Sequence, residues 1–405
     1  MKNNFNRRWL YLVIGVVSML FAGIVYAWSI LKTPLAETFG WNASALALNF
    51  TLTMSFFCIG GLLGSQLSKY IGVKLSIILS GILAGVGFVL TGFLNGGDVM
   101  LLYITYALMA GLGIGVSYNV IISTVGSWFP DKKGLCSGCL MMGFGASSLL
   151  LGNLANSMFA MPAFGWRTTY MIIGVATGII ITICGLVIQR PNETIVLPQP
   201  KVSKVGRKEA FEVQDYGPSQ MLRRVTFWLA FLFLICLTAV GNSVISFARD
   251  LALSVGAQTA LATTLVGVLA VCNGLGRVIT GAVFDAMGRR FTMTAASILV
   301  VVAAAITLLS VAISSLPLCI IGLCLTGISY GTSPTVASVF TSTFYGQKHF
   351  STNFSIINFN LMCASFMATV CGSLLTSTGS YIGPFFLLLG LALGALILNL
   401  MIKKP

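Results

Sequence analysis

Few side chains in this 405-residue chain are equipped for chemistry. Its only histidine is His349, and its nine carboxylates are Glu37, Asp98, Asp131, Glu193, Glu209, Glu212, Asp215, Asp250 and Asp285. All nine fall between apolar runs or at their edges. Acid–base or nucleophilic catalysis needs such groups to converge, and this distribution argues against an enzyme. Cys136 and Cys139 stand three apart with no second pair at the same spacing, so the cysteines read as helix-packing residues. No metal and no cofactor are expected. The exception is Arg277, inside "NGLGRVITGAVFDAMGRR" at 273–290. A guanidinium is a planar fork that grips an anion such as a carboxylate through two parallel hydrogen bonds.

The elements that must position Arg277 follow from composition. The chain is 57% hydrophobic and 8% charged, against about a quarter charged in a soluble domain. Apolar runs of about 20 residues, enough to span a bilayer, recur throughout. They predict an all-α polytopic membrane protein with twelve spans: 10–31, 44–67, 73–94, 99–125, 134–158, 168–188, 225–249, 258–284, 291–313, 317–342, 351–377 and 381–401. The first run follows Arg7 and Arg8, is too long for a signal-peptide core, and is taken as a helix.

Charge sets the topology. Of 23 lysines and arginines, 19 fall at the termini or in every second connection, and Lys32, Arg167 and Arg249 fall on the other side. The positive-inside rule therefore puts both termini in the cytoplasm, as expected of a cell-membrane protein. It also explains the formal charge of +14 without any affinity for nucleic acid. The stretch from Arg190 to Arg224 is polar and proline-containing, the composition of a linker. The expected domains are an N-terminal six-helix bundle (1–189), a cytoplasmic linker (190–224) and a C-terminal six-helix bundle (225–405). At an offset of 216 residues "SQLSKYIGVK" (65–74) overlays "GAVFDAMGRR" (281–290), and "GVSYN" (115–119) overlays "GTSPT" (331–335). Parallel repeats of this kind place a substrate site near the midplane between the halves.

"GAVFDAMGRR" resembles the short turn motif between the second and third helices of each half in the major facilitator superfamily. The resemblance implies a gate motif at the cytoplasmic face: Gly281 for close helix approach, Asp285 to cap or pair, Gly288 in the turn, and Arg289 and Arg290 as anchors. The first-half copy has Lys69 in place of the acid. "GLGIGVSYNVIISTVGSWFPDKKGLCSG" (111–138), with "YAWS" (26–29) and "PSQMLRRVTFWLAF" (218–231), resembles the oxalate/formate antiporter family, related to the monocarboxylate transporters. The resemblance runs through almost the whole chain outside the linker. It implies the major facilitator fold, with two pseudo-symmetric six-helix bundles, and secondary transport by alternating access.

An arginine near the bilayer centre costs about 2.5–3.5 kcal/mol on insertion scales. Arg277 either pairs two turns on with Asp285, snorkels to the headgroups, or holds an anion in a central cavity. Asn273, one turn earlier, favours an inward polar face. The family resemblance adds that this arginine grips the substrate carboxylate. Further lining residues are expected among Tyr118, Asn119, Tyr26, Trp28, Tyr330, Ser333 and Asn358, each of which could equally make a helix–helix bond.

Two departures from the family narrow the expectation. Oxalate transporters carry a lysine in helix 11, where this chain reads "SIINFNLMCASF". One cation balances one carboxylate, so a monoanion such as formate, lactate or pyruvate is expected, carried by exchange or with a proton. Animal monocarboxylate carriers have an aspartate where Asn273 stands, which removes an obvious proton carrier. The alternatives are an oxalate or dicarboxylate antiporter and a drug exporter. The partners are the bilayer, the anion and a proton or counter-anion, and the protein is expected to act as a monomer.

Overall fold

The computed structural model describes residues 2–41, 43–192, 195, 197–198 and 214–402. The middle of the expected linker and Lys403 and Lys404 lie outside the described residues, which hold helices and no strand. Among the described residues, eleven helical stretches are long and apolar enough to cross a membrane. The longest, Thr264–Ala312, has 49 residues. The helix that contains it is broken at Gly288 (φ 78°, ψ 179°). Each limb is long enough to cross a hydrocarbon core of roughly 30 Å, which brings the passes to twelve.

The spacing predicts a loop over 285–290, and here the structure differs. "DAMGRR" stays helical except at Gly288, because one residue in a glycine-only region of the backbone map reverses the chain without any loop. Gly72, at the 216-residue offset, has the matching φ of 81° between the helices Ala43–Tyr70 and Gly72–Gly92. Gly288→Ala is expected to cost about 1–3 kcal/mol through backbone strain. Thermal unfolding of the detergent-purified variant would register the loss.

The first span also exceeds its expected end. Helix Lys2–Ala22 tightens to 3-10 geometry over Gly23–Ala27, then continues as Trp28–Phe39 with Pro34 inside. It stops at Gly40, whose left-handed φ of 66° lets its N–H cap the Ala36 carbonyl. The eleventh span divides into Phe350–Ile357 and Phe359–Thr378 at Asn358.

The chain forms two compact units: Met1–Asp131 with Cys139–Gln199, and Lys132–Gly138 with Pro200–Pro405. In the first, Gly72–Gly92 packs on Gly165–Val187, and Ala43–Tyr70 packs on Leu112–Gly126. In the second, Thr259–Ala312 packs on Leu316–Phe344, while Val225–Ser254 packs on Phe359–Thr378 and Ile382–Met401. The faces turned away from these contacts carry large apolar groups, among them Leu275, Ile279, Phe386 and Ile397, as lipid-facing helices do.

Candidate functional site

Among the described residues the buried charged side chains are Arg8 and Arg277, 2% and 3% exposed. They are held differently. Arg8 lies at the mouth of the first span and is paired with Asp131 through bonds of 2.8 and 3.3 Å. Arg277 lies in the first limb of Thr259–Ala312, eleven residues before the break. At about 1.5 Å per residue that is roughly 16 Å of apolar helix, farther from the turn than the expected span end implies.

The Nε of Arg277 donates to Asn273 Oδ1 at 3.3 Å. Four residues apart, the two side chains share one helix face. That bond fixes the orientation of the guanidinium plane. The Arg277 carbonyl also accepts from Thr335 Oγ1 at 3.2 Å, so the helix Leu316–Phe344 fixes the backbone beneath the charge. Asp285 stands two turns farther on, its Oδ1 and Oδ2 accepting the Gly134 and Leu135 N–H groups, each at 2.8 Å.

Two other expected lining residues of this unit take part in helix–helix bonds. Tyr330 donates its hydroxyl to Asn242 Oδ1 at 2.8 Å. Ser333 shares a 2.6 Å hydrogen bond with Thr238, which donates in turn to Asn360 Oδ1 at 3.2 Å. A hydroxyl has one proton, so the bonds run from Ser333 to Thr238 to Asn360. Asn242, Thr238 and Asn360 carried no signal in the sequence, where each is one polar residue in an apolar run. Asn358, buried, sits at the break of the eleventh span. For Tyr330→Phe, which keeps the ring and removes only the hydroxyl bonded to Asn242, we expect a loss of about 1 kcal/mol of stability and a substrate KM within twofold of wild type. Thermal unfolding and an uptake titration measure the two effects.

In the first unit, Tyr118 lies 5.0 Å, ring to ring, from both Phe57 and Phe144. Half-buried Tyr26 stacks edge-on against the same Phe144 at 5.1 Å. The aromatic cluster thus brings together two of the expected residues. Trp28 is separate: its indole N–H donates to the Leu46 carbonyl at 2.9 Å, and its ring lies 4.6 Å from Tyr106. Asn119 is buried beside Tyr118 on Leu112–Gly126.

The turn motif is built as a helix junction. A side chain on Gly281 would run into the Gly134 carbonyl, and one on Gly134 into the Gly281 carbonyl. Two glycines face each other here so that backbones can touch. That contact brings the first turn of Lys133–Ser147 to Asp285, whose carboxylate serves two of its otherwise unpaired N–H groups. The Arg289 guanidinium lies over the Phe344 ring at 4.9 Å, while Arg290 is exposed. In the first-half copy, Lys69 bonds Gln66 at 3.4 Å.

Known proteins place this architecture. The family model described as Major Facilitator Superfamily matches residues 11–369 and 231–405. The oxalate:formate antiporter of Oxalobacter formigenes is 27% identical over 290 residues, which is 71% of this chain and 66% of that protein. Human monocarboxylate transporter 12 is 25% identical over 355 residues, covering 80% of this chain and 66% of its own length. Among solved structures, the proton:xylose symporter XylE bound to 6-bromo-6-deoxy-D-glucose superposes with a TM-score of 0.78 at 15% identity, covering 99% of this chain and 97% of that one. With an all-helical fold shared over its whole length and a family match over most of its sequence, the chain belongs to the Major Facilitator Superfamily and is a membrane transporter, not an enzyme.

Proposed function

We propose that the protein is a secondary transporter of small monocarboxylates, working by alternating access in the cell membrane with both termini cytoplasmic. The observation that carries this reading is Arg277: a guanidinium 3% exposed, deep in an apolar helix, and oriented by a neutral asparagine. A fixed positive charge in a low-dielectric bundle attracts an anion strongly. Its planar fork selects a carboxylate over a halide. The kinship with an oxalate:formate antiporter and a monocarboxylate transporter supports the same substrate class.

Charge balance favours one carboxylate over two, since the eleventh span offers no lysine or arginine. Asn273 carries no titratable proton, so exchange of one anion for another fits the anchor better than proton transfer through that position. Tyr118, Asn119, Tyr26, Trp28, Tyr330, Ser333 and Asn358 remain the proposed lining set, with Tyr330 and Ser333 engaged as described above. The junction of Gly281, Asp285, Gly288, Arg289 and Arg290 is proposed as the cytoplasmic gate, where Asp285 would release the Gly134 and Leu135 amides on opening.

Uptake of radiolabelled formate, lactate, pyruvate and oxalate into proteoliposomes tests the proposal. Saturable uptake of a monocarboxylate, stimulated by the same anion preloaded inside, is the expected result. Transport of oxalate in preference to all three would put the substrate in the dicarboxylate class, and transport of none would reject the carboxylate reading.

A further inference from the structure

The loop end of the seventh span carries a second cationic feature, independent of Arg277. The described part of the linker re-enters the fold at Gln214–Gly217. Its backbone is pinned there: Tyr216 N–H donates to the Tyr345 carbonyl at 3.0 Å, and Asn353 Nδ2 donates to the Tyr216 carbonyl at 2.9 Å. A short helix, Pro218–Leu222, follows and leads through Arg223 and Arg224 into Val225–Ser254. Between them opens a cleft of about 500 Å³, lined by Tyr216, Gln220, Arg223, Arg224, Val225 and Thr226.

The cleft has charge at its walls and exposed apolar side chains at its edge. Arg224 lies over the Tyr216 ring at 4.4 Å, which holds its guanidinium in place. Arg223 is exposed. Neither makes an ion pair with a carboxylate among the described residues, in contrast to Arg8, which closes on Asp131. Immediately into the span, Val225 is 73% exposed, Trp228 49% and Leu232 47%. Their spacing of three and four residues puts them on one face. The Trp228 N–H turns back to the Leu222 carbonyl at 2.9 Å, an apolar ring with its polar edge towards the loop end, as interfacial tryptophans sit. Two arginines thus precede an exposed apolar strip on one face of the helix.

We propose that this cleft binds the phosphate of an anionic phospholipid, with Arg223 and Arg224 on the phosphodiester and the Val225–Trp228–Leu232 face along one acyl chain. A guanidinium pair suits a phosphate oxyanion, and the adjoining apolar face distinguishes a lipid from a free phosphate ester.

Native mass spectrometry of the detergent-released full-length transporter tests this, with phosphatidylglycerol, phosphatidylcholine or soluble glycerol 1-phosphate added in turn. Wild type should retain phosphatidylglycerol preferentially, and Arg223→Gln with Arg224→Gln should lower that retention about tenfold. The double variant R223K/R224K should keep most of it. Arg223→Gln alone leaves the Tyr216 stack intact and should show a partial loss, so the proposal stays testable if the double glutamine variant is unstable. Three outcomes would overturn it: unchanged retention in the glutamine variants, an equal loss in K69Q/K74Q, or displacement of the lipid by glycerol 1-phosphate at matching concentration.

Discussion

Arg277→Gln is expected to lower carboxylate uptake by about a hundredfold or more while leaving the protein folded. Truncating one partner of a buried charge-assisted pair costs about 2–5 kcal/mol, and about 2.7 kcal/mol already corresponds to a hundredfold in affinity. The variant separates an anion anchor from a structural residue through a second readout. A cation held in an apolar bundle for a ligand is a desolvation cost to the empty protein. Replacing it with a neutral amide of similar reach should therefore leave the unfolding temperature equal or higher, and carboxylates should no longer raise it. Arg277→Lys keeps the charge and loses the fork, so it should restore little uptake. A glutamine variant that transports at the wild-type rate would make Arg277 structural. One that unfolds below the wild-type temperature would place its partners within the protein.

The second large effect is expected at Gly281. Even a methyl group there meets the Gly134 carbonyl, which belongs to backbone and cannot rotate away. Gly281→Leu should separate the two helices, remove both amides from Asp285 and cost well beyond the roughly 1–3 kcal/mol of ordinary overpacking. Gly281→Ala should follow in the same direction with a smaller loss, and Gly134→Ala should reproduce it from the other side. Cys136, 1% exposed two residues after Gly134, provides the readout. Its labelling by a maleimide should be slow in wild type and fast in the leucine variant. Unchanged labelling and transport in Gly281→Leu would mean that the helices do not need to touch here.

Much of this architecture follows from one-dimensional signals. Apolar run length sets the spans, and a lone arginine in an apolar run marks itself. The turn at Gly288 was less legible, because Asp285, Arg289 and Arg290 look like a solvated loop while one glycine torsion does the turning. Least legible were the polar residues inside the bundle. Tyr330 meets Asn242 across 88 positions, and Thr238 meets Asn360 across 122. Periodicity shows which face such a residue occupies but not which residue it meets, so a bundle bond and a cavity wall look alike until the helices are packed.

The chain of bonds from Ser333 through Thr238 to Asn360 bears on how a proton could cross the second unit. Asn360 passes the chain on by donating its Nδ2 to the Ile357 carbonyl at 2.6 Å, just before the helix break at Asn358. A proton wire needs relay groups that take up a proton on one side and release one on the other. A carboxamide nitrogen and a peptide carbonyl do neither near neutral pH. The hydroxyls of Thr238 and Ser333 are thus oriented dipoles with a dead end behind them, and this chain of bonds does not hand a proton onward.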